Sequence, residues 1–388
     1  MQAYKYTTLY NKQVQEQSSQ AFVQGCFTEE TYKKIVQAHP VTLYTPNYFI
    51  RIALGLLTTI ILIFVAVILG LLMDTSSEDA LIGLFIFMSI VCYLALEVFV
   101  NQRYYYNAGI DNVLTAGVIV CVLSAICIQG YFSALAISEV MVLVCGWLCI
   151  RFADAFMALL FYVSLYAFVF LFYVELDSIA KATAPFVMLI FSAGVFVLTG
   201  RLRSKEKIRL YYSCCEAVRY VSIVSAYLSV NYMIVKEVSN EMFNLHLSLH
   251  DTIPLGWLFW ILTVVFPLAV AGYGMRKKRP GFMIIGLLMG VATCCTIRYY
   301  HAVLPYEIAL ILSGSVLLLS GYLLIRHLKI PRYGFVASAD SGSDRKKLLA
   351  AEAALLVQLF GKAHASPAEN NTSSGGGSSG GGGASGNY

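Results

Sequence analysis

An all-α polytopic transmembrane helical bundle of about ten spans is the fold that the sequence predicts, and three observations predict it. The first is composition: of 388 residues, 59% are hydrophobic and only 13% are charged, whereas a water-soluble domain carries charge on about a quarter of its residues. The mean hydropathy of +0.71 points the same way. The second is the gathering of apolar residues into runs of about 20, the length of an α-helix that crosses a bilayer. In lipid the backbone N–H and C=O groups find no water, so such a run must satisfy them internally as a helix. The third is the placement of Lys and Arg, which fall in alternate loops along the chain.

Residues 1–47 are too polar to span and read as short helices ahead of the membrane domain. A first stretch from Gln13 to Gln24 stops at Gly25. Thr28 can cap a second helix, and Glu29 and Glu30 in its first turn complement the helix dipole. Pro40 and Pro46 end helical structure before the first span. That span is far longer than a signal-peptide core, so it is expected to act as its own insertion signal.

The membrane domain, 48–326, holds apolar runs at 48–73, 81–100, 113–130, 132–150, 155–174, 184–200, 217–236, 255–275, 281–299 and 305–325. With the N-terminus inside, the inner loops hold Arg103; Arg151; Arg201, Arg203, Lys205, Lys207 and Arg209; and Arg276 to Arg279. Arg326, Lys329 and Arg332 follow the last span on that side. The outer loops hold only Lys181, Lys236 and Arg298, among acids such as Asp74, Asp177, Glu241 and Asp251. Cationic loops resist translocation, so both termini are expected in the cytoplasm. Beyond the spans, 327–343 is a linker. Residues 344–361 pattern as an amphipathic helix with Leu348, Leu355, Leu356, Leu359 and Phe360 on one stripe. Residues 362–388 form a Gly/Ser-rich tail expected to be disordered.

The segment Gly25–Ile35, GCFTEETYKKI, runs as Gly-x-hydrophobic-Thr-Glu-Glu into a short helix ahead of many spans. It resembles the start of predicted polytopic bacterial membrane proteins grouped as a family of unknown function. The likeness covers about the first 50 residues and the hydropathy plan, and it implies a topology and a bacterial inner (cytoplasmic) membrane but no reaction. The tail GGGSSGGGGASG, Gly375–Gly386, is similar to the Gly-rich ends of some bacterial membrane-anchored proteins, a likeness of composition.

Ionisable side chains near membrane depth are the default candidates for function. Glu97 in CYLALEVFV is either a proton- or cation-binding carboxylate or a carboxylate that snorkels to the inner interface or pairs with Arg103. Arg151 with Asp154, and Glu216 with Arg219, stand three apart at span ends. Each pair either binds a polar solute from the cytoplasm or neutralises charge and locks helix ends. Toward the outer face lie Glu139, Arg298 and Glu307.

His246 and His250 in HLSLH have helical spacing but lack the Glu of a zinc-protease motif, so no metal site is assigned. No phosphate loop, nucleophile elbow or cofactor motif is legible. The ten cysteines read as packing thiols. The basic loops fit anionic lipid head groups before nucleic acid. Gly286 and Gly290 form a G-x-x-x-G suited to close helix packing. These features favour a non-enzymatic scaffold or sensor whose cytoplasmic ends meet a protein partner. A transporter of a small solute or ion is the alternative. Such transporters often carry helices broken by Gly or Pro at mid-membrane, and the only deep proline here is Pro267.

Overall fold

A computed structural model describes residues 4–300 except 5, 24–27, 74–76, 104, 177, 204, 206–207, 209–210 and 244–250. Beyond 300 it describes only 311, 314–315, 318–319, 322 and 326, all helical. The rest of the expected tenth span, the linker, the amphipathic helix at 344–361, the tail, and His246 with His250 lie outside the described residues. The chain divides into one unit at Met1–Ala302 and another at Val303–Tyr388, and the helices from Tyr6 to Tyr300 all belong to the first.

The architecture is all-α, and among the described residues the sole extended pairing is a bridge between Tyr44 and Tyr105. Two amphipathic or polar helices lead, α1 (Tyr6–Val23) and α2 (Glu29–Ala38). Helix α1 begins a full turn or more before Gln13, and Thr28 caps α2 as expected, its Oγ1 accepting from the Thr31 N–H. The two form a hairpin pinned by side chains: Asn11 Nδ2 donates to the Pro40 carbonyl at 2.9 Å and Gln15 Nε2 to the His39 carbonyl at 2.7 Å, while Phe22 stacks on Tyr32.

The bundle continues as α3 (Tyr48–Leu72), α4 (Glu78–Arg103), α5 (Ile110–Gln129), α6 (Ala134–Phe152), α7 (Ala155–Val174), α8 (Ser178–Leu202), α9 (Tyr212–Val230), α10 (Tyr232–Phe243), α11 (Gly256–Arg276) and α12 (Pro280–Tyr300). Eight of these helices are long and apolar enough to cross a membrane, and α9 with α10 forms a ninth candidate bent by 66°. This is an integral membrane protein. Large apolar side chains such as Leu56, Ile60, Phe64 and Leu71 are exposed along α3 among the described residues, as suits a helix surrounded by lipid.

Local chemistry sets the boundaries. Gly130, in a left-handed conformation, ends α5, and Ser133 caps α6 through the Ala136 N–H. Ala153, also left-handed, ends α6, and Asp154 caps α7 at once. Helix α8 starts about two turns earlier than the run 184–200, carrying Pro185 inside it.

Sequential helices pack as antiparallel pairs, α4 on α5, α6 on α7, α8 on α9 and α11 on α12, and α7 also packs on α9. Helix α11 packs closely on α12: a Cβ at Gly286 would stand 2.7 Å from the Ala271 backbone nitrogen. The other half of the G-x-x-x-G, Gly290, faces open space. At Gly109, whose φ is +95°, the α5 N-terminus approaches the α3 backbone at Arg51 and Gly55 so closely that no side chain fits.

The expected span 217–236 is corrected by the structure. It is two helices meeting at Asn231, with neither Gly nor Pro at the break. The Asn231 side chain takes over as a cap, its Oδ1 accepting from the Met233 and Ile234 N–H groups at 3.1 and 3.4 Å. The Tyr232 N–H goes to Thr263 Oγ1 at 2.9 Å. All the backbone donors freed at the start of α10 are thereby satisfied, which makes the break tolerable inside a membrane.

Candidate functional site

Glu97, Arg151, Asp154 and Glu216 collect toward one end of the bundle, called here the basic end. It comprises the starts of α3, α5, α7, α9 and α12 and the ends of α4, α6, α8 and α11. Arg51, Arg151, Arg203 and Arg279 all stand there.

Between the α4–α5 loop and the α6–α7 turn lies a cavity of about 260 Å³, bordered by Tyr4, Tyr106, Asn107, Asp111, Asp154 and Ser213 among others. Two carboxylates shape it. Asp111, in the first turn of α5, is buried and accepts three backbone N–H bonds from Asn107, Ala108 and Gly109 at 2.6–3.0 Å, folding the loop over itself. Asp154 Oδ1 accepts from Phe156 and Met157 N–H at 2.8 and 2.9 Å. Burial pushes the Asp154 carboxyl above the usual carboxylate range, against the opposing pull of those two N–H bonds.

The N-terminal segment reaches the cavity at Tyr4. Tyr4 is buried, its hydroxyl donates to the Tyr105 carbonyl at 3.0 Å, and its ring meets Tyr106 edge-on at 5.3 Å. From α1, Lys12 Nζ sits 3.8 Å from the centroid of the Tyr106 ring, a cation–π arrangement. Burial and then the charges of Asp111 and Asp154 raise the Tyr4 hydroxyl, and burial with Glu16 and Asp154 pushes Tyr106 up to about 12. Burial lowers the Lys12 ammonium.

The charged candidates find partners other than their sequence neighbours. Glu97 pairs with Arg151 across α4 and α6 and accepts from Asn101 at 2.8 Å, so it does not open into a cavity as a free carboxylate. Arg103 closes α4, and its side chain lies outside the described residues. Arg151 is thus bound to Glu97 while Asp154 serves as a helix cap. Glu216 holds Arg203 and, at 3.2 Å, Arg279, joining the α8 end to the α11–α12 turn. Arg219 points away from Glu216 into a ring of aromatic side chains. Neither expected pair at spacing three forms: Asp154 is taken by the N–H groups of the helix it caps, and Glu216 by arginines from other elements.

Sequence reasoning missed three participants. Tyr4 and Asp111 were not singled out, although an Asp two residues after a Gly at a helix start is a legible capping signal. The network at the helix break was missed as well. Asn231 Nδ2 donates to Tyr227 Oη at 2.8 Å, Tyr227 shares a hydrogen bond with Thr293 at 2.9 Å, and Thr296 lies beside Asn231. Serines and threonines scattered through apolar runs gave no sign that they meet.

Among the described residues no group of His, Cys, Asp and Glu is placed to hold a metal ion. Compared with protein-family models, curated proteins and solved structures, the chain matches none.

Proposed function

We propose that the chain is a non-enzymatic sensor or scaffold of the bacterial inner membrane, with both termini in the cytoplasm, whose N-terminal segment closes a polar cavity at the basic end. The observation that carries this reading is the seating of Tyr4 over the cavity bordered by Asp111 and Asp154. Such a segment, seated through Tyr4 and Leu9 on the core and by polar contacts on the loops, would lift when a solute or a partner competes for the same groups. The cavity's acids are both engaged in holding backbone N–H groups, which fixes the shape of its wall. The gathering of Arg51, Arg151, Arg203 and Arg279 at that end supports the cytoplasmic orientation and contact with anionic lipid head groups.

The test is a thermal-shift survey of small polar solutes on full-length protein in lipid nanodiscs, repeated on D154N and on S213W, which fills the cavity. A solute that stabilises the wild type should lose its effect in S213W and should speed proteolysis of residues 6–38. A solute whose shift is the same in all three proteins binds elsewhere and rules out the cavity as its site.

One feature favours transport instead: the 66° break at Asn231 with its buried polar network, since transporters use unwound helices at solute sites. Solute flux into proteoliposomes that N231L abolishes would establish that reading.

A further inference from the structure

The cavity beside Tyr4 has a volume of about 260 Å³, roughly that of nine waters, and its wall is acidic. Asp111 and Asp154 border it, while among the described residues no lysine, arginine or histidine does. Arg51, whose charge acts on Asp154, is held on Asn107 Oδ1 at 3.4 Å. Asp154 Oδ1 accepts both N–H groups at the start of α7, which leaves Oδ2 without a hydrogen bond among the described residues. The aromatic residues Tyr4, Tyr106 and Phe152 complete much of the wall. An ammonium ion is already accommodated beside it: Lys12 Nζ rests 3.8 Å from the Tyr106 ring centroid and feels the charge of Asp111. The carboxylate paired with Lys12 is that of Glu16, which is 63% exposed and so holds it weakly.

We propose that this cavity binds a small primary amine in its ammonium form, held by Asp154 Oδ2 and the Tyr106 ring, and that Lys12 is the protein's own competitor for that ligand. The inference rests on the reading of the cavity as a solute site and names the class of solute. An anion would meet two carboxylates there, and a neutral solute would leave the Asp154 charge uncompensated on a buried wall. An ammonium supplies the opposite charge together with N–H donors for Oδ2. A quaternary ammonium carries the charge without the donors, so the site distinguishes the two. A second cation at the wall competes with Lys12 for Tyr106 and for the charge of Asp111, so ligand entry and the seating of α1 oppose one another.

The test titrates full-length protein in neutral-lipid nanodiscs at pH 7 with ethylammonium, tetramethylammonium or sodium chloride at equal ionic strength. The readouts are melting temperature and proteolysis of residues 6–23. Ethylammonium alone should raise the melting temperature and speed cleavage of α1. D154N keeps a capping oxygen but loses the charge, and should weaken half-saturation by roughly tenfold or more. K12Q removes the internal competitor and should tighten it by roughly two- to fivefold, the worth of a cation–π contact; a purely structural role for Lys12 would not tighten it. K12Q and S213W carry the test if D154N does not accumulate. An ethylammonium shift that sodium or tetramethylammonium matches, that D154N or S213W retains in full, or that K12Q leaves unchanged overturns the ammonium site. If ethylammonium is silent while a neutral or anionic solute shifts the wild type and not S213W, the ammonium site falls and the cavity stands. Silence of every solute removes both.

Discussion

Asp154 shows how one side chain serves structure and site together. Its oxygen caps α7, and its burial beside the cavity raises its carboxyl. The sign follows from linkage: a carboxyl whose folded value is raised binds protons more readily in the folded state, so its charge costs stability as pH rises from the ordinary carboxylate range through the raised value. D154N keeps an oxygen able to cap, so it should melt above the wild type at neutral pH, with the gap closing as pH falls through that range. D154A loses the cap, at a cost of about 1 kcal/mol, and should melt below D154N at every pH. Paired thermal melts from pH 4 to 8 check both, and a D154N gap that is independent of pH contradicts the assignment. Glu97, Glu216 and Arg219 were legible as membrane-interface charges, yet their partners were not. Sequence spacing sees only neighbours on one helix, whereas Glu97 and Glu216 are paired with arginines from other elements and Arg219 stacks on Phe196 and Phe282.

At the scale of elements, apolar runs marked eight of the ten expected spans, and cap signals marked boundaries such as Thr28 before α2 and Gly130 and Ser133 between α5 and α6. The break at Asn231 was illegible because its cause is tertiary: Thr263 on α11 and Thr296 on α12 supply partners that no local pattern reveals. N231A should therefore leave the Met233 and Ile234 N–H groups unsatisfied, at about 1–3 kcal/mol each, seen as a lower melting temperature. An unchanged value would mean that the bend is held by other contacts. The glycine pattern separates in the same way. G286A drives a methyl into the Ala271 backbone and should cost roughly 1–3 kcal/mol. G290A meets open space and should be neutral or gain up to about 1 kcal/mol of helix propensity. Equal melting temperatures for the two variants would refute the close α11–α12 joint.

For the whole molecule, composition alone indicated a membrane bundle, and the exposed apolar length of α3 agrees with it. The seating of Tyr4 and α1 on the basic end was beyond the sequence, since it rests on contacts between distant residues such as Tyr4 with Tyr105 and Lys12 over Tyr106. The proposed orientation makes reporter fusions after Arg203 and after Arg279 cytoplasmic and one after Leu176 extracytoplasmic, and a cytoplasmic reading at Leu176 would reverse it. Closure of the cavity by the N-terminal segment, the central claim, is tested most directly by hydrogen exchange on the full-length protein in nanodiscs, wild type against Y4A. If Tyr4 holds the segment in place, Y4A speeds exchange at 106–112 and 153–157 together with 6–23, while the helices distant from the basic end exchange as in the wild type. Identical exchange at 106–112 and 153–157 in the two proteins would contradict it.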